Sequence, residues 1–377
     1  MRFATKLIHN GHAIDKTTGA LGTPIVLTST FAKLDMNADQ EFDYARSGNP
    51  TRKALEETIA QLEGGAKGYA FASGMAAIGS TLGIFSSGDH VVTAEDIYGG
   101  SYRIMNNFYK RWGLEVSAVD STDLNAIKKA IKPNTKALFL ETPSNPLLKI
   151  TDLKGAITIA KESGLITIVD NTFLTPYLQR PIALGADIVV HSATKFLGGH
   201  SDVVLGLAVT QNEELGRKIY AVQNSFGAIA SPSDCFLTLR GIKTLKARLD
   251  AEQASAAKLA DWLKTRSEVT CVYYPALKEH KGREIHEKQA DGFGAVLSFK
   301  TKNKQKAIDF LGAVKYAAAA VSLGGVETIA SYPAQMSHAA MPQKERDRLG
   351  ITDSLIRISV GLEDIDDLIA DFEEALR

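Results

Sequence analysis

Cysteine is nearly absent: Cys235 and Cys271 are the only two in 377 residues, and they lack metal-ligand spacing. That argues against a disulfide framework or a zinc module, and both thiols read as small apolar fillers. No metal is expected. A surplus of either charge is also missing, since Lys plus Arg and Asp plus Glu each number 43. Without a basic excess or an acidic tail, nucleic acid is not an expected partner. No uncharged apolar run approaches the roughly 20 residues that cross a bilayer, and Met1 to Lys6 leads into polar residues without an apolar signal core. The chain is therefore expected to be cytoplasmic and not membrane-bound. Internal repeats and low-complexity linkers are absent as well.

What remains is ordinary globular material, 45% hydrophobic and 23% charged, enough for one large domain and a smaller one. From Gly68 to Thr210 short β-rich runs alternate with helical patterns: Tyr69-Ala70-Phe71, His90-Val91-Val92, Glu115 to Val119, Ala137 to Leu140, Leu165 to Val169 and Asp187 to Val190. Strands alternating with helices predict a mostly parallel sheet covered on both faces. Between Thr151 and Ser163 the pattern is helical, with Thr151 or Asp152 to cap it and Gly164 to stop it. No G-x-G-x-x-G follows the first strand, which argues against a dinucleotide-binding oxidoreductase. After Arg240 to Leu245 the texture changes to a charged, alanine-rich helix through Leu263 and then to shorter strands such as Ala295 to Phe299. This predicts an N-terminal arm over 1–50, a large domain over 51–243 and a small domain over 244–377. The arm is poor core material and must pack on something else.

Open parallel sheets bind ligands at the carboxyl ends of their strands, and there the polar residues collect. Lys195 follows the apolar run Asp187 to Val190, flanked by the hydroxyls of Ser192, Thr194 and Ser201 and by Gly198-Gly199. An ordinary surface lysine gains nothing from such neighbours, whereas one that covalently holds an aldehyde cofactor needs a rigid strand behind it and phosphate donors beside it. At Ala72 to Ala77 a strand turns into a helix, so the N–H groups of Gly74 and Met75 can face an anion; a simple helix cap reads the same. Asp170 ends a strand-like run, either as a turn residue or as a buried carboxylate that needs a cationic partner. Tyr98, in Asp96 to Gly100, is placed to lie over a flat ring or to sit at a rim. Arg46, in Tyr44 to Thr51, has the planar fork that suits phosphate. Arg357 stands inside the apolar strand Leu355 to Gly361, where burial demands an anion, either a substrate carboxylate or a structural salt bridge.

The run around Lys195 resembles the lysine signature of the Cys/Met-metabolism family of pyridoxal-phosphate (PLP) enzymes, and the other motifs follow in family order from Thr5 to the C-terminus. That resemblance implies an α/β, fold-type I PLP-dependent transferase-like architecture, with helices on both faces of a mostly parallel sheet and a smaller α+β C-terminal domain. It implies pyridoxal 5'-phosphate as cofactor, held by Tyr44, Arg46, Gly74, Met75, Tyr98, Asp170, Thr172, Ser192, Thr194 and Lys195. Asn145, Val321, Ser322, Leu323 and Arg357 match substrate-binding positions, and Lys195 and Tyr98 carry the catalytic roles. In relatives the residues matching Tyr44 and Arg46 reach the neighbouring subunit's phosphate site. A homodimer with shared sites, assembling into a homotetramer, is therefore expected.

The family includes cystathionine lyases and synthases and methionine γ-lyase, and two departures narrow the reaction. Methionine γ-lyases typically carry a cysteine where Gly100 stands, and many γ-synthases and γ-lyases carry a glutamate where Val321 stands. That glutamate could attract the distal ammonium of cystathionine, so Val321 tilts the reading toward β-elimination. The expected activity is a carbon–sulfur lyase that cleaves cystathionine to homocysteine, pyruvate and ammonia. The alternatives are a cystathionine γ-lyase that also releases hydrogen sulfide from homocysteine or cysteine, then a cystathionine γ-synthase or acyl-homoserine sulfhydrylase.

Overall fold

Side chains alternate across a strand, and the central strands of this chain are apolar on both faces, so both must be covered. The computed structural model describes residues 1–10, 14–16, 18–339 and 341–377. Its first sheet contains β1 (Lys67–Phe71), β2 (His90–Ala94), β3 (Glu115–Val119), β4 (Thr135–Glu141), β5 (Ile166–Asp170), β6 (Ile188–Ser192) and β7 (Gly206–Thr210), in the order β1-β7-β6-β5-β4-β2-β3. The ladder from β6 to β3 is parallel; β7 runs antiparallel to both of its neighbours. Val91, Phe139, Ile168 and Val190 pack on one face against helices Gly74–Leu82 and Glu213–Phe226. Val92, Leu138, Leu140 and Val169 pack on the other against Leu124–Ala130 and Leu153–Glu162. The last of these helices is capped by Asp152, whose side chain accepts from the Gly155 N–H. Gly164 follows its end at φ +66°, a conformation that glycine adopts without strain.

A second sheet holds β8 (Val269–Tyr273), β9 (Val296–Thr301), β10 (Ala318–Ala319), β11 (Ile329–Ser331) and β12 (Leu355–Ser359), in the order β10-β11-β12-β9-β8. Leu297, Phe299, Ile356 and Ile358 pack under helices Leu245–Lys264, Lys304–Ala313 and Ile365–Leu376. The alternate residues turn toward the first sheet: Ser298 Oγ donates to the Pro146 carbonyl at 2.7 Å, and Arg357 reaches Asn145. An arginine inside an apolar strand is thus the outcome of alternation, its neighbours serving the core while it serves the interface between the layers. The architecture is the α/β one expected from the resemblance.

Before residue 50 the chain forms helix Phe3–His9, which the weak periodicity did not predict, and otherwise only the isolated bridge between Thr30 and Tyr44 among the described residues. Cys235 is buried, but Cys271 is exposed, which corrects its reading as a filler. The reason is position: Cys271 lies on β8, an edge strand of the second sheet. No helix among the described residues is long and apolar enough to cross a membrane.

Candidate active site

The carboxyl ends of the parallel strands open onto a cavity of about 450 Å3, closed on its far side by the loop before β11 and by β12. Ser73 caps helix Gly74–Leu82 by accepting from the Ala76 N–H at 3.1 Å, leaving the N–H groups of Gly74 and Met75 at the open helix start. This start lies tight against β6: a Cβ on Gly74 would come within 2.8 Å of Ser192 Cβ. Glycine is therefore needed for the approach.

Two acids meet on the floor. Glu141 and Asp170 are register partners on β4 and β5, and both are buried. Burial raises both carboxyl pKa values; the Asp170 charge raises Glu141 further, while Thr172 works to lower Asp170. Glu141 Oε2 accepts the Tyr98 N–H at 2.8 Å, and Asp170 Oδ1 accepts from Thr172 N–H at 3.0 Å and Thr172 Oγ1 at 2.5 Å. Among the described residues no cationic side chain forms an ion pair with either acid. Thr172 Oγ1 also accepts the Ser192 N–H at 2.9 Å, so it ties the ends of β5 and β6 together. Thr194 Oγ1 is engaged with the backbone of Leu205, accepting its N–H at 3.0 Å.

Above the acids, Lys195 Nζ donates to Ser322 Oγ, and burial, assisted by the Arg357 charge, pushes the lysine pKa down to about 8. Ser322 sits at φ +87°, a strained conformation for a residue with a Cβ. The strain is held by Gly324, whose N–H donates to Ser359 Oγ at 2.8 Å and which packs within Cβ-clash distance of Phe196 N. The Ser322 carbonyl in turn accepts from Arg357 Nη2 at 2.5 Å, so one residue touches both cations. Arg357 is 3% exposed; Nη1 donates to Asn145 Oδ1 at 2.9 Å, Nη2 donates to Ser331 Oγ at 3.1 Å, and Nε has no partner. No carboxylate forms an ion pair with it among the described residues, so the structural salt bridge is not made. Burial pushes its pKa down to about 10, against the opposing pull of Tyr98 and Glu141.

The cavity thus brings together Gly74, Met75, Tyr98, Asn145, Asp170, Thr172, Ser192, Thr194, Lys195, Val321, Ser322, Leu323 and Arg357. Val321, 64% exposed, stands at the rim, and Leu323 is buried. Tyr44 and Arg46 are elsewhere: the Arg46 guanidinium lies 5.3 Å from the centre of the Tyr44 ring and its Nε donates to Asn224 Oδ1 at 3.3 Å. Sequence reasoning assigned no role to Glu141, although an acid closing a strand was a usable signal. It passed over Arg103, Ser331, Met336 and Ser337, which line the cavity and carried no signal of their own.

These residues fit pyridoxal phosphate. The unpaired acid pair suits a protonated ring nitrogen, the open helix start suits a phosphate, and a lysine with a pKa near 8 suits an aldehyde. The model of the Cys/Met metabolism PLP-dependent enzyme family matches residues 4–377. The chain is 52% identical over 373 residues to cystathionine beta-lyase MetC of Bacillus subtilis (strain 168), covering 99% of this chain and 96% of that one. It is 49% identical over 376 residues to the cystathionine gamma-lyase of the same organism, covering 100% of this chain and 99% of that one. The crystal structure of cystathionine gamma-lyase from Lactobacillus plantarum complexed with L-serine superposes with a TM-score of 0.97 at 45% identity, covering 100% of this chain and 98% of that one.

Proposed function

Because the chain belongs to the Cys/Met metabolism PLP-dependent enzyme family, we propose that it is a carbon–sulfur lyase that cleaves L-cystathionine by β-elimination. The balanced reaction consumes one water and yields homocysteine, pyruvate and ammonia. The observation that carries this reading is Ser322, which holds the Lys195 amine on its hydroxyl and the Arg357 guanidinium on its carbonyl. A proton acceptor and a carboxylate anchor are thereby fixed relative to each other, as removal of the Cα proton of an amino acid requires.

The bound pyridoxal ring supplies the sink for the electron pair left when the Cα–H bond breaks. Asp170, held by Thr172, would pair with the ring nitrogen, and the helix start at Gly74 and Met75 would hold the phosphate with Ser192 and Thr194. Tyr98, its backbone fixed on Glu141, would cover the ring face. Arg357 and Asn145 bind the substrate's α-carboxylate. Lys195, whose pKa near 8 leaves a usable fraction as free amine at neutral pH, takes the Cα proton. Departure of the thiolate from Cβ completes the elimination. Arg103, on the cavity wall, supplies a cation for the second carboxylate of cystathionine.

The site is completed by a second copy of the chain. The arm exposes Leu21, Leu27, Leu34 and Met36, apolar surface that a partner would cover, and it carries Tyr44 and Arg46 away from their own cavity. A homodimer sharing its phosphate sites is the minimum unit, with a homotetramer as the assembled form. The second reading is γ-elimination, which the 49% identity to a γ-lyase favours. Incubation of the PLP-saturated protein with L-cystathionine, with products identified by mass spectrometry, separates the two. Pyruvate with homocysteine is expected; 2-oxobutyrate with cysteine would replace β- by γ-elimination, and no cleavage would refute both.

A further inference from the structure

The cavity wall that carries Arg103 holds two further residues that take no part in the chemistry above. Met336 and Ser337 line it, and the chain there is laid directly on the element that carries Tyr98. A Cβ at Gly99 would stand 2.1 Å from the Ser337 carbonyl oxygen and 3.9 Å from Arg103 Nη1, so Ser337 and Arg103 adjoin each other on the same wall. Behind Ser337 lies His338, 1% exposed, with Nδ1 2.9 Å from Ser337 Oγ and Nε2 without a hydrogen-bond partner. Burial and then the Arg357 charge push the imidazole pKa down to about 4, while the Asn145 backbone acts to favour a proton on the ring.

A neutral imidazole has one donor and one acceptor nitrogen. The nitrogen not engaged by Ser337 is Nε2, and in the tautomer that carries its proton there the bare Nδ1 faces Ser337 Oγ as an acceptor. Ser337 then donates its hydroxyl hydrogen to His338, and its oxygen has only acceptor lone pairs left for the cavity. Beside it stands a guanidinium, which repels a cation but attracts the carboxylate that accompanies one in an amino acid.

We propose that Ser337, oriented by His338, is a specificity-determining acceptor for a primary ammonium at the far end of the substrate. This deepens the lyase reading and rests on it. A thioether joining two amino acids carries an ammonium on each half; the near one is used in the chemistry and the far one meets this wall. The position left apolar by Val321 is thereby replaced as a selector by a residue further along the chain, and thioethers without a far ammonium are the disfavoured class.

The test compares L-cystathionine with S-(3-carboxypropyl)-L-cysteine, which keeps the thioether and both carboxylates and lacks only the far ammonium. For the holoenzyme, the ratio of kcat/KM for cystathionine to that for the analogue is expected to fall about tenfold in Ser337→Ala, the effect of one hydrogen bond to a charged group. His338→Leu is expected to lower the ratio likewise, and His338→Asn, whose amide oxygen can stand in for Nδ1, to restore it. Should His338→Leu fail to fold, Ser337→Ala carries the test alone. An unchanged ratio in Ser337→Ala overturns the proposal, as does a wild-type protein that uses both thioethers equally well. A wild-type protein that turns over neither removes the lyase reading and this proposal with it.

Discussion

Replacing Arg357 with lysine keeps the charge and removes the fork. In the folded chain the guanidinium spans Asn145 Oδ1, Ser331 Oγ and the Ser322 carbonyl while Nε stays free. A lysine ammonium is a point donor and cannot hold these three acceptors and a substrate carboxylate in one plane. The loss at the substrate is one charge-assisted hydrogen bond, about 1.5–3 kcal/mol, which lowers kcat/KM by between about tenfold and a hundredfold. The carboxylate is gripped before and during proton removal alike, so most of the loss is expected in KM, with kcat changed much less. Pyruvate release from L-cystathionine measures both constants, and cofactor absorbance shows whether PLP is retained. A variant with wild-type KM and bound PLP would take Arg357 out of carboxylate binding.

Lys195→Met should abolish turnover yet stabilise the cofactor-free protein. The folded-state lysine pKa of about 8 lies below the ordinary 10.5, so the cost of burying its charge, up to about 3 kcal/mol, is present in full below pH 8 and fades as pH rises to 10.5. A Tm difference at pH 7 that does not shrink by pH 10 would contradict this. Asp170 has the opposite sign, because its folded pKa is raised above 3.8: the folded state holds the extra proton, and stability falls as pH rises above that value. Cofactor-free Asp170→Asn should therefore lose less stability than wild type as pH rises above 3.8 by thermal melting, and equal losses would count against it. Arg46→Ala should weaken PLP retention, and its mixed oligomers with Lys195→Ala should regain part of the activity; mixtures that stay inactive would remove the shared site.

Residues that follow strands were legible because parallel pairing brings all carboxyl ends to one edge, whatever their separation in sequence. Gly74, Tyr98, Asp170 and Lys195 met for that reason. What stayed hidden depends on register and on the second layer. That Glu141 faces Asp170 follows from the pairing of β4 with β5, and the contact of Lys195 with Ser322 spans 127 positions. Thr172 and Thr194 were read as cofactor-binding, and no pattern in the sequence reveals that their hydroxyls also bond Asp170 and Leu205. Ser337 and Arg103 lack any local signal because their meeting depends on the missing side chain of Gly99.

The charges around the cavity follow one rule. Glu141, Asp170, Lys195 and Arg357 are all buried or nearly so, and among the described residues none forms an ion pair with another protein side chain. Each has its pKa displaced toward the neutral form, which is the cost of burying charge without a partner. A fold selected for stability alone would pair these groups or replace them with apolar ones. Their separation has a use when the partners come from outside: a ring cation for the two acids, an aldehyde for the lysine and a carboxylate for the arginine. Binding then releases the cost stored in the folded chain, so cofactor and substrate should each stabilise the protein by more than their contact area alone implies.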